Sequence, residues 1–279
     1  MTNVRLNGEP AEYIDIHDRG LQYGDGFFTT IRVVQGRMLM WKQHWERLCR
    51  AAQILHFTDF TGQVSERSLL DDCQALLTQY PAPDAVIRIS ITRGQGSRGY
   101  TPSTQIQASV LVAISTYPEH YANWRSQGVR LQLAQQRLGY QPMLGGVKTL
   151  NRLEQVLLKQ ELSDYPDMDD LLALDCNAMV AETSIANIAW QYNGEWFTPR
   201  LEGTGVRGLA MDFFIQHTQA VVGDYPLDSL LSAEQVVISN CLLGFANVAA
   251  IRVNATRTAH FSVLSNFTEQ LTRRMCDDE

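Results

Sequence analysis

The chain has 279 residues, 45% of them hydrophobic and 19% charged, with 19 glycines and 9 prolines; this excludes collagenous, coiled-coil and disordered chains and suggests one or two globular domains. Twenty-three basic residues against thirty acidic ones leave a net charge of −7, which argues against a general nucleic-acid binder, because phosphate backbones need a basic footprint. The five cysteines, Cys49, Cys73, Cys176, Cys241 and Cys276, are odd in number and form no Cys-x-x-Cys pair, so neither a disulfide framework nor a zinc ribbon is indicated.

The opening MTNVRLNGEPAEYIDIHDRG turns polar at once, and no later apolar run approaches the ~20 residues of a membrane span. With the reduced cysteines, this makes a cytoplasmic location without membrane contact the expectation. The alternation in GFFTTIRVV, followed by Gln35-Gly36 and RMLM, predicts a β-hairpin with Phe28 and Thr30 on one face. Apolar spacing at Trp45, Leu48, Ala52 and Leu55 predicts a helix from Trp41 to about Leu55, and a second covers Ser65 to Tyr80. DAVIRISITRG and QIQASVLVAIST read as strands around the glycine-rich loop GQGSRGYTPST, and TYPEHYANWRSQG as a connector. Beyond it the pattern predicts a strand at Val129 to Ala134, a loop through Gly145-Gly146, a helix from about Leu150 to Leu162, and strands near 170–174 and 184–191. Helical spacing returns at Arg207 to Thr218 and Phe261 to Met275, with strands at Gln235 to Ser239 and Ala246 to Val253. The expected architecture is α+β in two domains, 1–117 and 129–279, joined by a connector at 118–128.

The six histidines make no HExxH and no close pair with cysteine or carboxylate, so no metal site is expected. A nucleophile elbow, a Walker loop and a Rossmann fingerprint are missing as well. What stands out is Lys148 in GGVKTLNRLEQVLLKQEL, after two glycines and directly before a predicted helix. There the positive helix end and partial burial disfavour the ammonium form, the tuning that a Schiff-base lysine needs. Read alone, the same segment also suits a solvated loop lysine.

Lys148 with TLNRLEQ, Glu182 in VAETSIANIAW, Arg47 in HWERL and the opening YGDGFFTTIRV together resemble the fold-type IV pyridoxal-phosphate enzymes, in the family's order and over most of the chain. That family contains branched-chain and D-amino-acid aminotransferases and a 4-amino-4-deoxychorismate lyase, and RGQGSRGY and GVKTLNRLEQVL are most similar to the lyase branch. The resemblance implies a two-domain α+β fold with the lysine in the larger C-terminal domain, pyridoxal 5'-phosphate as cofactor, and a homodimer with its active site near the subunit interface. It implies a lyase that makes 4-aminobenzoate and pyruvate from 4-amino-4-deoxychorismate for folate biosynthesis. An aminotransferase of D-amino or branched-chain amino acids is the alternative, since it shares every cofactor motif, and a binding protein that has lost the chemistry is a third reading.

By the same resemblance Lys148 holds the cofactor and then moves the proton, and the Glu182 carboxylate pairs with the pyridine nitrogen. Arg47 offers a planar fork to the phosphate, the backbone amides of Val206 and Arg207 cap it at a helix start, and Asn240 and Cys241 approach it from another strand. Cys241 departs from the hydroxyl residue that aminotransferases often carry there. Arg98 and Arg93 in RGQGSRGY suit a substrate with two carboxylates, Arg98 being favoured, with Phe28 beside them. Thr30 occupies the place of a hydroxyl that passes a proton to departing enolpyruvate. Each has a plain alternative: a solvated strand glutamate for Glu182, a charged helix face for Arg47, a hairpin tip for the two arginines, and β-propensity for Thr30.

Overall fold

A computed structural model describes residues 3–96, 99–102 and 107–277. Contacts divide the chain into two units: one runs to Tyr117 and includes Lys148–Asn151, the other comprises Pro118–Val147 and the chain from Arg152 onward.

The first unit contains β1 (Val4–Leu6), β2 (Glu9–Pro10), α1 (Arg19–Tyr23), β3 (Gly26–Val34), β4 (Arg37–Met38), α2 (Trp41–Ile54), α3 (Phe60–Gln63), α4 (Glu66–Gln79), β5 (Ala85–Thr92) and β6 (Ser109–Thr116). Its strands form one antiparallel sheet in the order β2-β1-β6-β5-β3-β4. Register fixes which side chains reach the site. Phe27, Thr29, Ile31 and Val33 of β3 pair with Ile91, Ile89, Ile87 and Ala85 of β5, and all eight are fully buried. The alternate residues Phe28 and Thr30 pair with Ser90 and Arg88 on the opposite face. A one-residue slip would exchange the two sets, so burial of the apolar one locks the polar one in place. Helix α2 packs on β3 through His44, Arg47, Leu48, Ala51 and Ala52, the buried three-and-four stripe of its sequence. Helix α4 starts where Ser65 Oγ accepts the Ser68 N–H at 3.0 Å, a side-chain N-cap.

Lys148 belongs to this unit, which corrects the expectation of a C-terminal domain that carries it. The helix expected from Leu150 begins at Leu153 instead, because residues 148–150 are used as sheet. The Phe28 N–H donates to the Lys148 carbonyl (3.0 Å), the Leu150 N–H donates to the Gly26 carbonyl (3.0 Å), and Thr149 bridges Phe27. Strand β4 pairs only Val33 and Val34, so these backbone groups at the start of β3 find their partners in the lysine segment. The helix-dipole argument for Lys148 therefore does not apply.

The second unit contains α5 (His120–Gln127), β7 (Val129–Leu138), α6 (Leu153–Leu162), β8 (Asp170–Asp175), β9 (Val180–Thr183), β10 (Asn187–Tyr192), β11 (Glu195–Pro199), α7 (Leu209–Thr218), β12 (Val221–Gly223), α8 (Leu227–Leu231), β13 (Gln235–Asn240), β14 (Gly244–Asn254), β15 (Arg257–His260) and α9 (Ser265–Asp277). The mixed sheet runs β12-β11-β10-β13-β14-β7-β8-β9, with β15 on β14. Its parallel pairs are β11/β12, β14/β7 and β7/β8. Under α6, Leu158 joins Ala134, Leu138, Leu171, Ala173 and Ala181 in one apolar cluster. The expected connector is largely helix: Tyr121 and Trp124, three residues apart, bury one face of α5, which packs on β14. Sheets and helices in both units make the class α+β. Among the described residues no helix is long and apolar enough to cross a membrane.

Candidate active site

The polar face of the first sheet gathers the groups that can act on a substrate. Lys148 is half-buried, and its Nζ lies 4.6 Å from the centre of the Phe28 ring. From the neighbouring strand the Arg88 guanidinium sits 3.7 Å from the same ring, and its Nε donates to Ser90 Oγ at 3.2 Å. Thr30 is directly opposite Arg88. Phe28 is thus an aromatic floor between two cations, with a threonine hydroxyl one pair along. The structure brings together Lys148, Phe28 and Thr30 of the expected residues and adds Arg88. Sequence reasoning missed this arginine, although a lone charge at the centre of AVIRISIT was its signal.

Arg47 lies on the buried stripe of α2, 8% exposed, so the plain reading of a charged helix face does not hold. One turn earlier His44 is 1% exposed, with its Nδ1 2.6 Å from the Thr29 hydroxyl. Burial, then the charges of Arg47 and Lys148, push the His44 pKa well below the usual histidine range and leave the ring neutral.

Arg93 is a correction. Its Nε donates to both oxygens of Asp25 (2.9 Å), Nη1 to the His56 carbonyl (3.1 Å) and Nη2 to the Leu55 carbonyl (2.7 Å), with the guanidinium stacked 4.1 Å over Phe57. The fork closes the end of α2 and is spent on the protein itself. Asp25 also accepts from Arg19 Nε at 2.8 Å, and the Arg19 Nη atoms donate to the carbonyls of Gly99 and Tyr100. Arg98 lies outside the described residues.

In the second unit Glu182 on β9 is 5% exposed and receives three N–H donors. The Val206 amide and Asn187 Nδ2 donate to Oε2 at 3.0 and 3.3 Å, and Gln155 Nε2 donates to Oε1 at 3.3 Å. Gly205, at φ +70°, turns the chain so closely over this carboxylate that a Cβ would stand 2.8 Å from Glu182 Cδ. The plain reading of a solvated strand glutamate fails here too. The amides of Val206 and Arg207, expected on a phosphate, have other partners: Glu182 for the first and the Gly146 carbonyl (3.1 Å) for the second. The Arg207 side chain pairs with Asp212 at 2.6 Å, and α7 begins after Gly208 without a side-chain cap. The Asn240 side chain is also engaged within the protein. Its Oδ1 accepts the amides of Leu242 and Leu243, and its Nδ2 donates to the Ile185 carbonyl, so the side chain closes the turn from β13 to β14. Cys241 is a half-buried free thiol in that turn.

The donor set fits the pyridoxal phosphate that the resemblance implies. Three N–H donors fix the Glu182 carboxylate in place, and a carboxylate is the group that partners a pyridine nitrogen. Gln155 Oε1, on the same side chain whose Nε2 donates to Glu182, is among the buried atoms of the second unit without a hydrogen-bond partner.

Comparison with known proteins gives the family of the chain. The chain is 36% identical over 253 residues to a curated aminodeoxychorismate lyase of Vibrio harveyi, covering 88% of this chain and 90% of that one. The crystal structure of 4-amino-4-deoxychorismate lyase from Pseudomonas aeruginosa superposes with a TM-score of 0.84 at 29% identity, covering 99% of this chain and 98% of that one. The branched-chain amino acid aminotransferase of Escherichia coli shares the fold, with a TM-score of 0.83 at 19% identity over 99% of this chain and 94% of that one. A family model described as amino-transferase class IV matches residues 26–251, and this chain belongs to that family.

Proposed function

We propose that this chain, with pyridoxal 5'-phosphate as its cofactor, cleaves 4-amino-4-deoxychorismate to 4-aminobenzoate and pyruvate as a cytoplasmic homodimer. The observation that carries the reading is the face of the first sheet where an amine and a guanidinium stand over the Phe28 ring and Thr30 pairs with the arginine's strand position. The lyases it resembles supply the reaction class.

When bound, the cofactor supplies a protonated conjugated ring that takes up the electron pair left on the substrate carbon. Glu182, held in place by its three donors, keeps the proton at the pyridine nitrogen. Arg47 neutralises the phosphate. Lys148 Nζ accepts the proton from the substrate carbon that bears the amine. The Thr30 hydroxyl donates to the ether oxygen as the carbon–oxygen bond breaks and is reprotonated by the proton that Lys148 took from carbon, so the net result is transfer of that proton to the departing enolpyruvate and an aromatic ring. Arg88 binds a substrate carboxylate, for which a planar fork is the matching geometry. Phe28 sets the plane against which the substrate ring lies.

The test is incubation of purified protein with pyridoxal phosphate and 4-amino-4-deoxychorismate in the absence of any keto acid. Equal release of 4-aminobenzoate and pyruvate is expected, and Lys148→Ala should abolish it. Failure to release either product, with conversion of the cofactor to its amine form by an amino acid, would transfer the assignment to an aminotransferase.

A further inference from the structure

The unused group in the first unit is the imidazole of His44. It lies on the packed side of α2, 1% exposed, with Nδ1 bound to Thr29 Oγ1 at 2.6 Å. Thr29 is itself fully buried on β3, so this hydrogen bond fixes the ring in both position and rotation. The other nitrogen, Nε2, is buried without a partner. A neutral imidazole carries one N–H, and if Thr29 donates to Nδ1 that hydrogen is on Nε2. Leaving such a donor unpaired in the interior is unfavourable. Arg47 follows on the same helix stripe three residues later, where side chains are neighbours. The charges acting on the ring are those of Arg47 and Lys148, both positive. An imidazole N–H in the company of two cations matches an anionic ligand.

We propose that His44 is a second side-chain donor, beside Arg47, to the phosphate of the cofactor, with Thr29 holding the ring so that Nε2 carries the hydrogen. The inference rests on the reading of Arg47 as the phosphate arginine. It assigns a task to a residue that the reaction scheme leaves idle, and it makes Thr29 a positioning residue.

The test is a comparison of two aldehydes on the full chain freed of cofactor: pyridoxal phosphate, and pyridoxal, which lacks the phosphate. Binding is read from the absorbance of the bound aldehyde, and inorganic phosphate is titrated separately by its effect on melting temperature. His44→Asn places a polar atom near the position of Nδ1, keeping the Thr29 contact, but has nothing at Nε2. It should weaken pyridoxal phosphate by about tenfold, leave pyridoxal unchanged and reduce stabilisation by inorganic phosphate. His44→Gln, which reaches the Nε2 position, should recover part of the loss. Arg47→Gln serves as the reference. If it shows no selective loss of pyridoxal phosphate, the phosphate lies elsewhere and the reading on which this inference rests has failed. If Arg47→Gln is selective and His44→Asn is not, the inference on His44 is overturned alone. Equal weakening of both aldehydes with a lower melting temperature would also overturn it, since that is the signature of a ring that only packs or binds water.

Discussion

Arg88 and Arg93 lie five positions apart on the same stretch of chain, and the structure gives them opposite tasks. Arg93 is 7% exposed, and its guanidinium donates to Asp25 and to two carbonyls at the end of α2. Arg93→Gln would leave Asp25 with one guanidinium partner and two carbonyls without a donor, a loss of about 3 kcal/mol, with little change in KM. Arg88 is exposed on the Phe28 face and holds no buried acid. Arg88→Gln should raise KM about tenfold or more, the worth of a charged hydrogen bond to a carboxylate, with little change in melting temperature. Thermal melts and steady-state kinetics on the two variants separate the roles, and a reversed pattern would overturn the assignment. His44 adds a pH effect. Burial first, then the neighbouring cations, hold its folded-state pKa well below the unfolded value of about 6.5. Below that pH the unfolded chain takes up a proton that the native ring refuses, so stability present at neutral pH is lost as pH falls. The loss is about 1.4 kcal/mol per pH unit until the native pKa is reached. Urea unfolding of the cofactor-free chain at pH 7, 6 and 5 should show this slope, and His44→Asn should remove it.

At the level of elements, the sequence made the regular parts plain and hid the joins. Helix α2, helix α4, the β3–β4 hairpin and the β5–β6 pair follow from periodicity, because each shows a local repeat of apolar residues. The pairing of residues 148–150 with β3 depends on a partner more than a hundred residues away, and no local pattern announces it. For the same reason the periodicity places the start of α6 about three residues too early. The short strands β11, β12 and β15 were likewise illegible, since they take their identity from the strands beside them. Among the proposed site residues, Lys148, Glu182, Arg47, Phe28 and Thr30 come from motif resemblance, and the structure adds their surroundings. The amides of Val206 and Arg207, and Asn240, are expected near the phosphate, but a motif does not show which donors the fold already uses. The turn before α7 gives a test at this scale. Gly205 combines φ +70° with close approach to Glu182. Gly205→Ala should cost about 1–2 kcal/mol from the backbone alone and displace the carboxylate, lowering both the melting temperature and the affinity for pyridoxal phosphate. An alanine variant with native cofactor affinity would show that Glu182 does not need this turn.

The whole molecule carries apolar surface that one chain leaves uncovered. On α6, Leu158 is buried at 1% exposure, yet Leu153, Val156 and Leu157 are 69%, 58% and 40% exposed. Scattered exposed leucines are ordinary, but three at positions i, i+3 and i+4 form a continuous stripe along one helix, and such a stripe marks an interface. A second copy of the chain is the occupant that fits the homodimer proposed above, since a two-fold interface needs a self-complementary patch and an apolar helix stripe can meet its own symmetry mate. Sedimentation or light scattering of the purified protein should give twice the mass of 31.5 kDa. Val156→Glu places a charge at the centre of the stripe, and burying it unpaired is costly enough to shift the equilibrium to the single chain at micromolar concentration. Position 156 is exposed in the single chain, so the substitution should leave the fold of that chain intact, as circular dichroism can check. A variant that remains fully dimeric would place the interface elsewhere. A native protein that sediments as a single chain would remove the homodimer from the proposal and leave the chemistry of Lys148 to be explained within one chain.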